Sequence, residues 1–277
     1  MKKLLLIPVA GLLLTSCFKN LLKDDNTFIV NYKIETSFEE MTNITDQAVA
    51  GNLVYYKSGQ AIFVTPGYKP SNEKTPCSVV ITHDTLTYPR TITVDYGTDN
   101  CDCNDGKKRR GKIVTSYTGP YLLPGTIITH TPVDYYVNDV KIDGTKTVEN
   151  MGTTGEGQPY FNVQIDGSAT LTSGEVVTYT STRVRKWSEG YNTPTNRLDD
   201  VFDITGTAVA AFANGGGYEA GTTTPIRVKV GCSFPVSGKI DITPSGKPTR
   251  SVDYGDGTCD FKFTVTINGR TYNFNFG

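Results

Sequence analysis

Phe261-Lys262-Phe263-Thr264-Val265-Thr266-Ile267-Asn268-Gly269-Arg270-Thr271-Tyr272-Asn273-Phe274-Asn275-Phe276 is the stretch whose reading decides the fold. Asn-Gly is the preferred two-residue hairpin loop, because both residues tolerate positive φ. Such a loop pairs Val265 with Tyr272, Phe263 with Phe274 and Phe261 with Phe276. All six then share one face, while Lys262, Thr264, Asn273 and Asn275 take the other. A slip of one residue would mix the two faces, so the register is strongly specified.

The same grammar extends back to Cys77. Threonine, valine, isoleucine and tyrosine dominate, as suits a pleated surface, with Gly, Asn, Asp and Pro at short intervals. Residues 140–148 alternate apolar with polar. About a dozen strands are expected, arranged as an antiparallel β-sandwich or a large meander. One helix is expected, over residues 37–57. Ser37 and Glu40 match a capping box, and Phe38, Met41, Ile44, Ala48 and Leu53 recur at helical spacing, although Gly51 interrupts them. The expected organisation is a leader at 1–16, an anchor and tether at 17–35, and one mainly-β domain at 36–277. Two β subdomains meeting near residues 150–160 are the alternative.

The leader reading rests on chemistry. Lys2 and Lys3 precede an apolar run from Leu4 to Leu14, too short to span a bilayer. Leu14-Thr15-Ser16-Cys17 then matches a lipobox. The thiol of Cys17 takes a diacylglycerol, and cleavage before it frees an amine for a further acyl chain such as palmitate. More than one chain anchors stably where one does so only marginally. This predicts a signal peptide and a membrane lipoprotein lipidated at Cys17. Phe18 follows the cysteine in place of an aspartate retention signal, and Lys23-Asp24-Asp25 resembles the export signal of surface-exposed lipoproteins. The expected location is the outer membrane, facing outward.

A net charge of −1 gives no long-range field for nucleic acid, which is not an expected partner. The run Lys107-Lys108-Arg109-Arg110 is read as a solvated loop or edge. One internal echo stands out. Asp95-Tyr96-Gly97 leads to Cys101, and Asp253-Tyr254-Gly255 leads to Cys259. Each has a cysteine some distance upstream, Cys77 and Cys232. The echo predicts bridges Cys77–Cys101 and Cys232–Cys259, with Cys103 left over. Cys77–Cys103 is the rival pairing.

Four chemistries are open to the side chains of this sequence. Asp95, Asp99, Asp102 and Asp105 form an acidic loop and are the candidate calcium set, with ordinary turn chemistry as the preferred reading. No other cofactor is expected. His83 and His130 sit in strand-like stretches without a nucleophile elbow, and are read as exposed strand histidines. Asp199-Asp200 is the most conspicuous carboxylate pair, at a place where a turn is expected. Trp187 and Tyr191 offer faces for a sugar ring, with core packing as the preferred reading.

Two resemblances follow. Val252-Asp253-Tyr254-Gly255-Asp256-Gly257 resembles the strand-turn of PKD domains over six residues. From Cys77 to Gly277 the chain resembles an uncharacterised family of Bacteroidota lipoproteins. The carrying segments include Thr91-Ile92-Thr93-Val94-Asp95-Tyr96-Gly97, Arg110-Gly111-Lys112-Ile113, Asp143-Gly144-Thr145-Lys146-Thr147-Val148 and Gly255-Asp256-Gly257-Thr258-Cys259-Asp260. The resemblance implies a common β architecture and an envelope location, and carries no activity. It departs at Cys101 and Cys103, where relatives commonly show one cysteine. The expected function is non-enzymatic: a lipid-anchored envelope protein in adhesion, glycan binding or envelope structure, with a glycan or an envelope protein as partner. A carboxylate-dependent hydrolase acting on glycans is the alternative.

Overall fold

The computed structural model describes residues 27–50, 54–57, 60–63, 77, 79–84, 87–103, 106–193, 196–232 and 234–275. Cys17 and Lys23-Asp24-Asp25 lie outside them, as does Asp105.

The described chain opens with one helix, α1 (Thr27–Ala50), and a two-stranded ribbon, β1 (Val54–Lys57) with β2 (Gln60–Phe63). Fourteen further strands form one antiparallel sheet. They are β3 (Val80–Asp84), β4 (Arg90–Asp95), β5 (Cys101–Asp102), β6 (Lys108–Tyr117), β7 (Ile127–Val137), β8 (Val140–Thr153) and β9 (Pro159–Thr170). Then come β10 (Val176–Glu189), β11 (Val201–Phe212), β12 (Gly217–Lys229), β13 (Ser237–Pro244), β14 (Arg250–Asp256), β15 (Lys262–Ile267) and β16 (Arg270–Asn275). From β6 onward each strand pairs with the next in sequence, while short β5 hangs off β6. The architecture is therefore the meander and not the sandwich. Residues 150–160 fall at the β8–β9 hairpin, inside the sheet.

The C-terminal hairpin has the expected register, Val265 to Tyr272 and Phe263 to Phe274, around Asn268 and Gly269 at φ of 50° and 74°. Phe261 lies before β15, and Phe276 is outside the described residues.

The helix differs from expectation at both ends. It starts at Thr27, inside the segment read as tether, and stops at Ala50, so residues 54–57 are strand. Ser37 is not a cap. It lies mid-helix and its hydroxyl donates to the Lys33 carbonyl at 2.7 Å, one turn back. The sequence obscured this start because Thr27, Ile29 and Val30 are β-branched and weak helix formers. Tertiary enclosure overrides that preference. Ile34, Phe38 and Met41 are fully buried, and only Lys33 and Asn43 are exposed among the residues whose burial is described. A helix covered nearly all round belongs to an interior.

The sheet supplies that cover by bending around α1. The helix packs on β4, β7, β8 and β13. Near its start Phe28 meets Phe263 of β15 and Phe274 of β16 at ring distances of 6.2 and 5.3 Å. One buried cluster joins the helix to strands from both ends of the sheet. Close approach is possible at the β8–β9 pair, where Gly144 faces Gly167. Phe38 of the helix fills the space a side chain on Gly167 would occupy.

Candidate functional site

Strand alternation decides what faces the helix. In β10, Val177, Tyr179, Ser181, Arg183, Arg185 and Trp187 all point inward and are buried. Two arginines therefore enter the core because the apolar frame on either side of them fixes their face. In β8 the frame of Ile142, Val148 and Asn150 does the same to Lys146, which is 0% exposed.

The helix answers with three carboxylates. Glu35 accepts from Arg183 at 3.0 Å from Nε and 2.8 Å from Nη2, and also from the Tyr179 hydroxyl. Glu39 accepts from Lys146 Nζ and stands 3.8 Å from Arg185 Nη1. Glu40 accepts from Arg109 at 2.7 Å and pairs with Lys107. Buried charges are tolerated only when paired and hydrogen-bonded. Here the helix is held to three strands or their edges by ion pairs at successive heights.

The electrostatics follow. Burial alone would raise the Glu35 carboxyl, but the Arg183 charge and the bonds from Arg183 and Tyr179 pull it below its usual range. Burial likewise opposes ionisation of Glu39, and Lys146 then Arg185 outweigh it, holding the group at about 2. At His130 burial prevails: it and then the Lys146 charge depress the group to about 3, so it is neutral. Its ring meets the hydroxyls of Thr115 at 2.8 Å and Thr42 at 3.2 Å.

Beside the ladder, between α1 and strands β9 to β14, is a cavity of about 90 Å³. Glu35, Glu39, Arg183 and Arg185 supply its polar wall, and Ile165, Ile204, Ile226 and Ile240 much of its apolar wall. Glu35 and Glu39 keep 28% and 26% of their side-chain surface, and both line this space. Arg183 and Arg185 are 4% and 3% exposed, yet Arg183 Nη1, Arg185 Nε and Arg185 Nη1 have no hydrogen-bond partner. The Asn31 side-chain oxygen, also on the cavity, has none either. The ladder of the wall is irregular here. Register shifts interrupt β11–β12 between Ile204 and Thr207, and β12–β13 between Thr222 and Arg227.

The residues singled out from sequence fall elsewhere. Cys77–Cys101 and Cys232–Cys259 are bridged, with Cα separations of 4.7 and 5.5 Å. Cys103 Sγ lies 2.6 Å from Cys77 Sγ, so the rival partner stands beside the chosen one. The echo is a real duplication of local geometry. Asp95 and Asp253 each accept from the glycine amide two residues on, at 2.9 and 3.0 Å. Each also pairs with a lysine on the neighbouring strand, Lys112 or Lys239. Tyr96 and Tyr254 are both buried.

Among the described residues, Asp95, Asp99 and Asp102 do not converge as metal ligands; the one close group is Cys77, Cys101 and Cys103. His83 is exposed, as expected, and bonds the Tyr117 hydroxyl. His130, expected exposed, is 1% exposed, because it shares the inward frame of Ile128 on β7. The basic run is no free edge either. Lys108, Arg109 and Arg110 begin β6, which pairs on both sides, and Arg109 turns inward to Glu40 and Tyr135. Asp200, expected in a turn, is 1% exposed and accepts from Trp187 Nε1 at 3.1 Å. Trp187 itself is buried against Phe202, so it offers no face to a sugar. Sequence reasoning missed Glu35, Glu39, Lys146, Arg183 and Arg185. The signal was present for the last three: a cation inside an apolar alternating frame.

Comparison with family models, with curated proteins and with solved structures returns no match.

Proposed function

We propose that this chain is a non-enzymatic binding protein of the cell envelope, held at the outer membrane by lipid on Cys17 and facing outward. The observation that carries the binding reading is the cavity under α1, a concave and largely aliphatic space walled by Ile165, Ile204, Ile226 and Ile240. Two disulfides agree with an exported chain. Against the hydrolase alternative stands the state of the cavity carboxyls. A glycosidase acid needs a raised pKa, whereas Glu35 and Glu39 are both lowered by their cations.

Fractionation and a hydrolase panel test the reading. Cys17→Ser should abolish fatty-acid labelling and release the protein from the membrane fraction. Alanine at Lys23, Asp24 and Asp25 should reduce protease access on intact cells while membrane association persists. Glycosidase turnover that a Glu39→Gln substitution abolishes would replace the binding reading with the enzymatic one.

A further inference from the structure

We infer that Cys77, Cys101 and Cys103 form a thiol–disulfide exchange site, at which Cys77 changes partner and the remaining thiol becomes either open or closed to small disulfides. Three observations converge. The three sulfurs lie within 4.8 Å of one another, and Cys103 Sγ is 2.6 Å from the sulfur of Cys77, which is bridged to Cys101. The backbone fixes this arrangement. The Cys77 N–H donates to the Asp102 carbonyl at 3.2 Å, so Cys77 is pinned beside the residue that separates its two partners. Cys101 pairs with Arg109 on β6, and the Cys103 N–H donates to the Lys107 carbonyl at 2.7 Å, which extends the same pairing. Two residues apart on an extended stretch, Cys101 and Cys103 present their sulfurs to the same side. The two also differ in access: Cys101 is 7% exposed, whereas Cys103 is half-buried.

The exchange needs no outside oxidant or reductant. The Cys103 thiol gives up its proton and the thiolate attacks the Cys77 sulfur. The bond from Cys103 to Cys77 forms as the bond from Cys77 to Cys101 breaks, and Cys101 leaves as a thiolate that takes up a proton. One disulfide and one thiol stand on each side of this step. Only the place of the thiol changes. At Cys103 it sits at the margin of the core, within reach of a small disulfide from outside. Attack on that molecule forms a mixed disulfide at Cys103 and releases the other half as a thiol. At Cys101 the thiol is enclosed in the core and out of reach. Exchange thus alternates the site between a form that can be modified and a form that cannot. Among the described residues, no such group of three sulfurs surrounds Cys232–Cys259, which serves as an internal control.

The test holds the full chain at pH 4 or at pH 8.5, quenches it in acid and digests it with pepsin at pH 2, where thiolate is suppressed and bridges stay as they were. Fragmentation mass spectrometry between residues 101 and 103 then locates the bridge. At pH 4 the expected bridge is Cys77–Cys101 alone. At pH 8.5 Cys77–Cys103 should rise to at least a tenth of the total and level off. Its rate should not change over a tenfold range of protein concentration, and Cys232–Cys259 should stay intact. Oxidised glutathione added at pH 8.5 should be captured at Cys103, in chains bridged Cys77–Cys101, while the other isomer carries none. A bridge that stays more than nine-tenths at Cys101 overturns the inference. So does an isomer that forms faster at higher protein concentration or recruits any other cysteine, and so does glutathione held at Cys101 or not captured.

Discussion

A Cβ atom on Gly167 would stand 2.6 Å from Cζ of Phe38. Helix and sheet meet where the sheet has no side chain. The same atom would lie 2.5 Å from the Asp143 carbonyl oxygen. Gly167→Ala should therefore cost about 1–3 kcal/mol, as overpacking does, read as a lowered urea midpoint. Phe38→Leu should lower stability in the parent chain and cost less in the Gly167→Ala chain. Strictly additive effects would show that the two positions do not compete for the space.

Lys146 and Glu39 form the pair most dependent on each other. Lys146→Met leaves Glu39 with Arg185, 3.8 Å away, and removes the cation that does most to keep its carboxyl ionised. The expected loss is about 3–5 kcal/mol. Adding Glu39→Gln should return part of it, since no uncompensated charge then remains. If the double variant is less stable than Lys146→Met alone, the pair is not the unit that matters.

Acid should weaken the fold in two stages. His130 falls from 6.5 to about 3 on folding, so below pH 6.5 the unfolded chain binds a proton that the folded chain refuses. Stability therefore drops as pH falls from 6.5 toward 3, by up to about 1.4 kcal/mol per pH unit. Glu39 falls from 4.5 to about 2. Its contribution is present above pH 4.5 and is lost as pH falls toward 2. The window from 6.5 to 4.5 thus isolates His130. His130→Gln should flatten the stability profile there, and a slope that persists would assign it to another group.

Peptide mapping under non-reducing conditions should find Cys77–Cys101 and Cys232–Cys259. Removing the second bridge with Cys232→Ser and Cys259→Ser should cost about 3 kcal/mol in the chain-entropy account. In a Cys101→Ser chain, Cys77 should bridge to Cys103, whose sulfur already lies 2.6 Å away. A chain with no Cys77 bridge in that background would contradict the arrangement of the three sulfurs.

The sheet was legible because its information is local. The Asn268-Gly269 loop and the faces of Phe263 and Phe274 are contained in a few consecutive residues. So was the Asp-Tyr-Gly echo, whose turn is closed by its own aspartate. The start of the helix and the cavity were not, because their causes lie far away in sequence. Thr27 to Val30 is a poor helix start on propensity, and becomes helical because distant strands enclose it. Glu35 and Glu39 look like ordinary surface acids until Arg183, Arg185 and Lys146 are placed opposite them. The basic run departs from expectation for a related reason: Arg109 shares the inward frame of Ile113 and Thr115, and that frame outweighs its charge.

The enclosure of α1 also sets an order of events. Phe28 belongs to the first described segment to leave a ribosome, and its ring partners Phe263 and Phe274 belong to the last. Until β15 and β16 exist, the apolar sides of the helix near Phe28 lack part of their cover, and loop closure over nearly the whole chain must precede the reward. The strands of the meander can pair in the order they are made, but the start of the helix is sealed only by the last hairpin, so its docking is a late event in folding.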